Sequence, residues 1–72
     1  VIANSPLIMI IGTNKFYIEN HKGISLYQTD LIKIRINLGI LTVKGSNLEI
    51  DKIKSDNLFI SGQINSLKYE ME

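Results

Sequence analysis

His21 is the only histidine in the sequence, the residue type best suited to acid–base work near neutral pH, and it stands in Glu19-Asn20-His21-Lys22-Gly23. A Glu-Asn-His cluster raises the possibility of a metal ligand or a proton-transfer pair. The spacing argues against both, because one residue separates Glu19 from His21 and the chain has no second His and no Cys. A structural turn in which Asn20 or His21 bonds the local backbone is the simpler reading. The hydroxyls Ser5, Ser25, Ser46, Ser55, Ser61 and Ser66 lie in no nucleophile-elbow pattern. Glu49 and Asp51 share a strand face, but Lys44, Lys52 and Lys54 nearby make that a solvated mixed-charge surface rather than a carboxylate dyad. Gly12, Gly23, Gly39, Gly45 and Gly62 fit no phosphate-cradling spacing and read as turn residues between strands. The residues thus supply no catalytic, cofactor or metal site, and no cofactor is expected.

Two binding chemistries remain. Lys33 and Arg35 share a strand face, and Tyr27 on a neighbouring strand could complete a small platform where an aromatic stacks a base and cations follow phosphates. Eight Lys and Arg against seven Asp and Glu give a net charge of +1, which argues against a nucleic-acid partner. The stronger reading is protein contact through Tyr17, Tyr27, Ile40 and Phe59, which put apolar groups on faces that otherwise read polar.

These residues must be positioned by strands. The apolar set is dominated by 14 Ile and 8 Leu with a single Ala, a composition that suits pleated surfaces better than helices. Leu31 to Leu38 alternates Ile32, Ile34, Ile36 and Leu38 with Lys33, Arg35 and Asn37, the period of a half-buried strand. Similar short runs span 7–11, 15–19, 24–28, 40–44, 48–50, 58–61 and 64–70, with turn residues between them. Leu7 to Ile11 is apolar at both parities, so both of its faces are expected to be covered. Apolar parity slips near Asp51-Lys52 and again between Ile64 and Leu67, and each slip predicts a bulge or bend.

Eight short, mostly antiparallel strands predict an all-β meander, as a sandwich, roll or partly open barrel, in a single domain over residues 1–72. Leu41-Thr-Val-Lys-Gly45 and Leu58-Phe-Ile-Ser-Gly62 echo each other at an offset of 17 residues. Two units are too few for a solenoid, and the short turns suit hairpins better. A chain of 72 residues without disulfide or metal is short of stabilising devices, so association with copies of itself is the expected remedy. The sequence starts at Val1, so an N-terminal segment is expected to be missing.

Several segments together resemble the YabP/YqfC family of sporulation proteins: Leu7 to Gly12, Tyr17 to Ile24, Ile34-Arg-Ile36 with Leu38 to Leu41, Val43-Lys-Gly45, Asn47-Leu48 and Leu58 to Ile64. The Glu-Asn-His-Lys-Gly-Ile segment is similar to the YqfC branch. The resemblance implies a non-enzymatic protein made in the mother cell of an endospore-forming bacterium. It also implies a membrane-protein partner resembling YqfD at the outer forespore membrane. No catalytic residues come with it, since the shared positions are the glycines and the Asn20-His21 turn.

Overall fold

The computed structural model describes residues 5–71, and among them there is no helix. Six strands form one sheet: β1 (Leu7–Ile11), β2 (Lys15–Glu19), β3 (Ile24–Tyr27), β4 (Leu31–Ile36), β5 (Gly39–Ile53) and β6 (Asn57–Met71). Their order is β1-β2-β6-β5-β4-β3, and every pairing is antiparallel. The all-β class stands, but the count is six rather than eight. Segments 40–44 and 48–50 belong to one strand, β5, and segments 58–61 and 64–70 to another, β6. The alternating strand β4 also stops at Ile36, and Leu38 sits exposed in the two-residue turn Asn37-Leu38.

The merger comes from glycines that kink a strand instead of ending it. At Gly45 a Cβ would fall 1.8 Å from the Gln63 carbonyl oxygen. Gly62 has φ +119°, and a Cβ there would lie 2.4 Å from the Asn47 carbonyl oxygen. Bare backbone at both positions lets the two 15-residue strands approach closely where the hairpin bends. Gly39 is the first residue of β5, directly after the Asn37-Leu38 turn. The β5–β6 ladder slips between Lys44 and Gly45, between Ser46 and Glu49, and between Ile50 and Lys52. The last slip sits at the expected Asp51-Lys52 bulge, and the first skips Asn65 on β6, within the expected 64–67 stretch.

A kink takes backbone N–H groups off the ladder, and such groups need other acceptors. Two turns provide them. The Asp30 carbonyl accepts from Gly45 N–H (3.1 Å) and the Thr29 carbonyl from Leu48 N–H (2.7 Å). The Thr13 carbonyl accepts from Ile64 N–H (2.8 Å). Bending folds the sheet into two halves that face each other. The first comprises β1, β2, the start of β6 and the end of β5; the second comprises β3, β4, the start of β5 and the end of β6.

Exchanging β1 with β3, β2 with β4 and β6 with β5 leaves the strand order unchanged, so the halves are topological equivalents. The core lies between them. Phe16, Ile18, Leu58 and Ile60 come from the first half, and Ile32, Ile34, Leu41 and Val43 from the second. The 17-residue echo marks this arrangement, because both of its five-residue stretches feed two core side chains inward and then run into the kink. The connection 20–23 ties the halves together. His21 N–H donates to the Asp56 carbonyl (3.3 Å), Lys22 N–H to the Arg35 carbonyl and Arg35 N–H to the Gly23 carbonyl (both 2.8 Å).

β1 departs from expectation. Its side chains were expected to be covered on both faces, yet Leu7, Met9, Ile10 and Ile11 are all about half exposed or more, and only Ile8 packs partly against the core. The strand is an edge, with β2 on one side and no strand of the described residues on the other. A continuous apolar run ordinarily marks a strand buried inside a sheet; position in the sheet, which pattern does not encode, overrides that here.

Candidate interaction surface

On the outward face of the first half, the register sets Met9 of β1, Tyr17 of β2 and Phe59 of β6 in one row across three adjacent strands, followed by Lys52 of β5. The Tyr17 and Phe59 rings are 4.6 Å apart at their centroids and tilted by 47°, a favourable aromatic geometry. Leu7 and Ile11 flank Met9 at the same strand parity. A groove of about 870 Å³ runs along this face, lined among others by Met9, Ile11, Tyr17, Lys52 and Phe59.

Alternation on β2 turns Tyr17 outward because Phe16 and Ile18 on either side are drawn into the core. Its hydroxyl donates to Glu19 Oε1 at 2.5 Å. Hydrogen bonding to the Glu19 carboxylate, aided by some burial, pushes the phenol up from 10.0 to about 12. Phe59 is outward for the same reason, between inward Leu58 and Ile60. No hydrogen-bonding group on Phe59 or Met9 gives water a reason to stay, so the row favours an apolar partner surface.

The other residues singled out in the sequence do not join this row. Ile40 lies on the outward face of the second half, opposite Arg35 on β4 and Glu70 on β6. Tyr27 pairs in register with Ile32, which is fully buried, so it stands on the inward side. There its hydroxyl accepts from Ile50 N–H at 3.0 Å and bridges the mouth between the halves. Lys33 and Arg35 point outward from alternating positions of β4. Tyr27 and the two cations are therefore on opposite faces, and the stacking platform considered for oligonucleotides is not assembled. Sequence reasoning missed Met9, Leu7 and Ile11; the signal was present in the uninterrupted 7–11 run but was read as burial.

The turn residues fall into two groups. Gly12 lies in the β1–β2 turn, and Asn20, His21 and Gly23 form the β2–β3 connection. His21 is buried; its Nδ1 accepts from Gly23 N–H at 3.0 Å, while Nε2 has no hydrogen-bond partner among the described residues. Asn20 adopts φ 66° and its amide donates to the Ser5 carbonyl (2.9 Å), holding the start of the described chain. Gly39 opens β5, while Gly45 and Gly62 lie inside strands, as above. Asp51 accepts from the Ser61 hydroxyl (2.8 Å) on the exposed surface, and among the described residues no group of three or more His, Cys, Asp or Glu could hold a metal.

Fold and surface define a class: a small all-β protein made of one bent antiparallel sheet, with an exposed apolar face on one of two equivalent halves. A family model described as the YabP family matches residues 3–72, and the chain belongs to that family. It is 28% identical over 69 residues to a Bacillus subtilis (strain 168) protein named "Uncharacterized protein YqfC", covering 96% of this chain and 74% of that protein. The YabP/YqfC resemblance read in the sequence therefore holds. No solved structure matches the chain.

Proposed function

We propose that this chain is a non-enzymatic sporulation protein that assembles with copies of itself and binds a membrane partner during endospore envelope formation. Membership of the YabP family points to a sporulation-associated protein. One observation supports assembly above the others: the row Met9, Tyr17, Phe59 in register across three adjacent strands, beside an apolar edge strand. Isolated exposed apolar residues need no explanation, whereas a contiguous row next to a free edge marks an interaction site.

The reading takes residues 1–72 as one domain, acting in the mother-cell cytoplasm at the outer forespore membrane. The membrane partner is of the YqfD-like kind implied by the resemblance. Among the described residues no helix is long and apolar enough to cross a membrane, and this reading assigns attachment to that partner. Size-exclusion chromatography with multi-angle light scattering tests self-association, and the expected result is a species heavier than the 8.1 kDa chain. A strictly monomeric protein across micromolar concentrations overturns it. Phe59→Asp should reduce the size of the assembly while leaving far-UV circular dichroism strand-like. Co-expression with the membrane partner should bring the chain into the membrane fraction; a chain that stays in the supernatant overturns the second half of the proposal.

A further inference from the structure

The sheet has two edges, and they differ. β3 has four residues, and its register with β4 is broken between Ile24 and Leu26, which blunts it for further pairing. β1 keeps an unbroken five-residue register with β2, from Leu7 opposite Glu19 to Ile11 opposite Lys15. It carries no charge, no bulge and no internal proline, so none of the usual devices against edge pairing is present.

Resting on the self-assembly reading above, we propose that β1 is the contact: two copies pair antiparallel through β1 about a two-fold axis at Met9, giving one continuous twelve-stranded sheet. The occupant is a second copy because β1 is complementary to itself in this register. Leu7 of one copy meets Ile11 of the other on the outward face, Ile8 meets Ile10 on the inward face, and Met9 meets Met9. Every cross-strand pair is apolar on both sides. The flanking charges agree: the row through Leu7 runs from Glu19 of one copy to Lys15 of the other, unlike charges about 14 Å apart at three strand spacings. A parallel pairing in register sets Lys15 in line with Lys15 and Glu19 with Glu19. At that separation the charges choose orientation at low salt more than they hold the dimer.

Pairing also joins the outward rows into Phe59, Tyr17, Met9, Met9, Tyr17, Phe59 across six strands. Assemblies larger than the dimer then grow by covering this enlarged floor. The edge and the face thus make separable contributions.

The absence of cysteine makes a clean test. Single variants Met9→Cys, Leu7→Cys, Phe59→Cys and Ser25→Cys of the full chain are oxidised mildly and run on non-reducing gels. Across the two-fold, Met9 positions are directly opposed with Cα atoms about 4.5–5.5 Å apart, within disulfide reach. Leu7 positions are offset by four residues, about 13 Å, and Phe59 positions lie about 24 Å apart at five strand spacings. Met9→Cys is expected to cross-link at least ten-fold faster than the other three. Linking at Leu7→Cys as fast as at Met9→Cys indicates parallel pairing, which opposes every β1 residue to its own copy; faster linking at Phe59→Cys indicates a face contact and at Ser25→Cys the opposite edge. Each overturns the β1 proposal while leaving self-assembly standing. A monomer throughout overturns both. Should Met9→Cys fold poorly, Met9→Lys decides: the proposal expects a monomer with unchanged far-UV circular dichroism, and an intact assembly overturns it.

Discussion

At matching register positions the two halves present Met9, Tyr17 and Phe59 on one outward face and Leu26, Lys33 and Thr42 on the other. Inward, the same halves are nearly interchangeable, with Ile18 and Ile34 both fully buried and Leu58 and Ile60 standing where Leu41 and Val43 stand opposite. The inner faces are alike because each must close against the other. The outer faces are free of that constraint, and they differ sharply. In the second half Thr42, although buried, has its hydroxyl bonded to Glu70 Oε1 (2.6 Å), and Lys33, Lys44 and Lys68 surround that carboxylate. That face satisfies itself. The first half leaves an aromatic pair and a thioether with no internal polar partner except the Tyr17–Glu19 bond, so its chemistry is directed outside the molecule.

The largest effect should come from removing the bend that makes two halves. Gly45→Ala puts a methyl 1.8 Å from the Gln63 carbonyl oxygen, backbone that cannot move aside, and Gly62→Ala adds a positive φ to a similar clash. Each is expected to cost about 4 kcal/mol or more in urea unfolding, or to prevent folding. Gly12→Ala is the control. Its turn is open, with the nearest atom at 3.8 Å, so only the left-handed backbone costs, about 1–2 kcal/mol. Equal costs at Gly12 and Gly45 would mean that the kink is not what holds the halves together. Next in size are the equivalent core positions. Ile18→Ala and Ile34→Ala should each cost about 2–5 kcal/mol and agree with each other closely; a wide gap would show that one half folds without the other.

Much of this pattern was legible before the structure. Period-two alternation in Ile32, Ile34 and Ile36 placed those side chains in a core, and the parity slips near Lys52 and Asn65 located real register shifts. The long strands were not legible, because a glycine that permits close approach and a glycine that closes a turn look alike in one sequence. Gly45-Ser46-Asn47 has turn composition and even a positive φ at Asn47, yet β5 runs through it and its ladder with β6 resumes at Glu49. What separates the cases is the opposing carbonyl of Gln63, a long-range contact absent from local pattern. The surface was half legible. Tyr17 and Phe59 stood out as apolar residues at polar parity, and they do meet. Met9 could not be assigned to them, since only the strand order reveals that β1 lies at an edge beside β2.

Converting one outward face into the other gives a smaller and more specific effect than the core changes. Tyr17→Lys with Phe59→Thr copies the Lys33–Thr42 pair onto the first half. The fold should survive, since both positions point away from the core, and urea midpoints should shift little. Assembly beyond the dimer is expected to weaken at least ten-fold in light scattering. If the double variant assembles as before, the contrast between faces has no bearing on association.

The finest contrast lies in how each half holds its carboxylate. Glu70 accepts from Thr42 beside three lysines, which lowers its carboxyl below the ordinary 4.5. Its contribution to stability is therefore complete above the unfolded value and lost as pH falls through the lowered one, and Thr42→Val should move the carboxyl back toward the ordinary range by NMR titration. Glu19 works in the opposite sense on its neighbour. By accepting the Tyr17 hydroxyl it holds the proton on the phenol to about 12. The folded state thus binds that proton more tightly than the unfolded one, so this contribution is fully present below pH 10 and disappears between about 10 and 12. Phenolate absorbance at 295 nm should show one of the three tyrosines ionising late, and Glu19→Gln should bring it back toward pH 10. If no late tyrosine is seen in the folded protein, the hydroxyl is not held by Glu19. It is then free to serve a partner, and the first half would offer a polar handle within its apolar row.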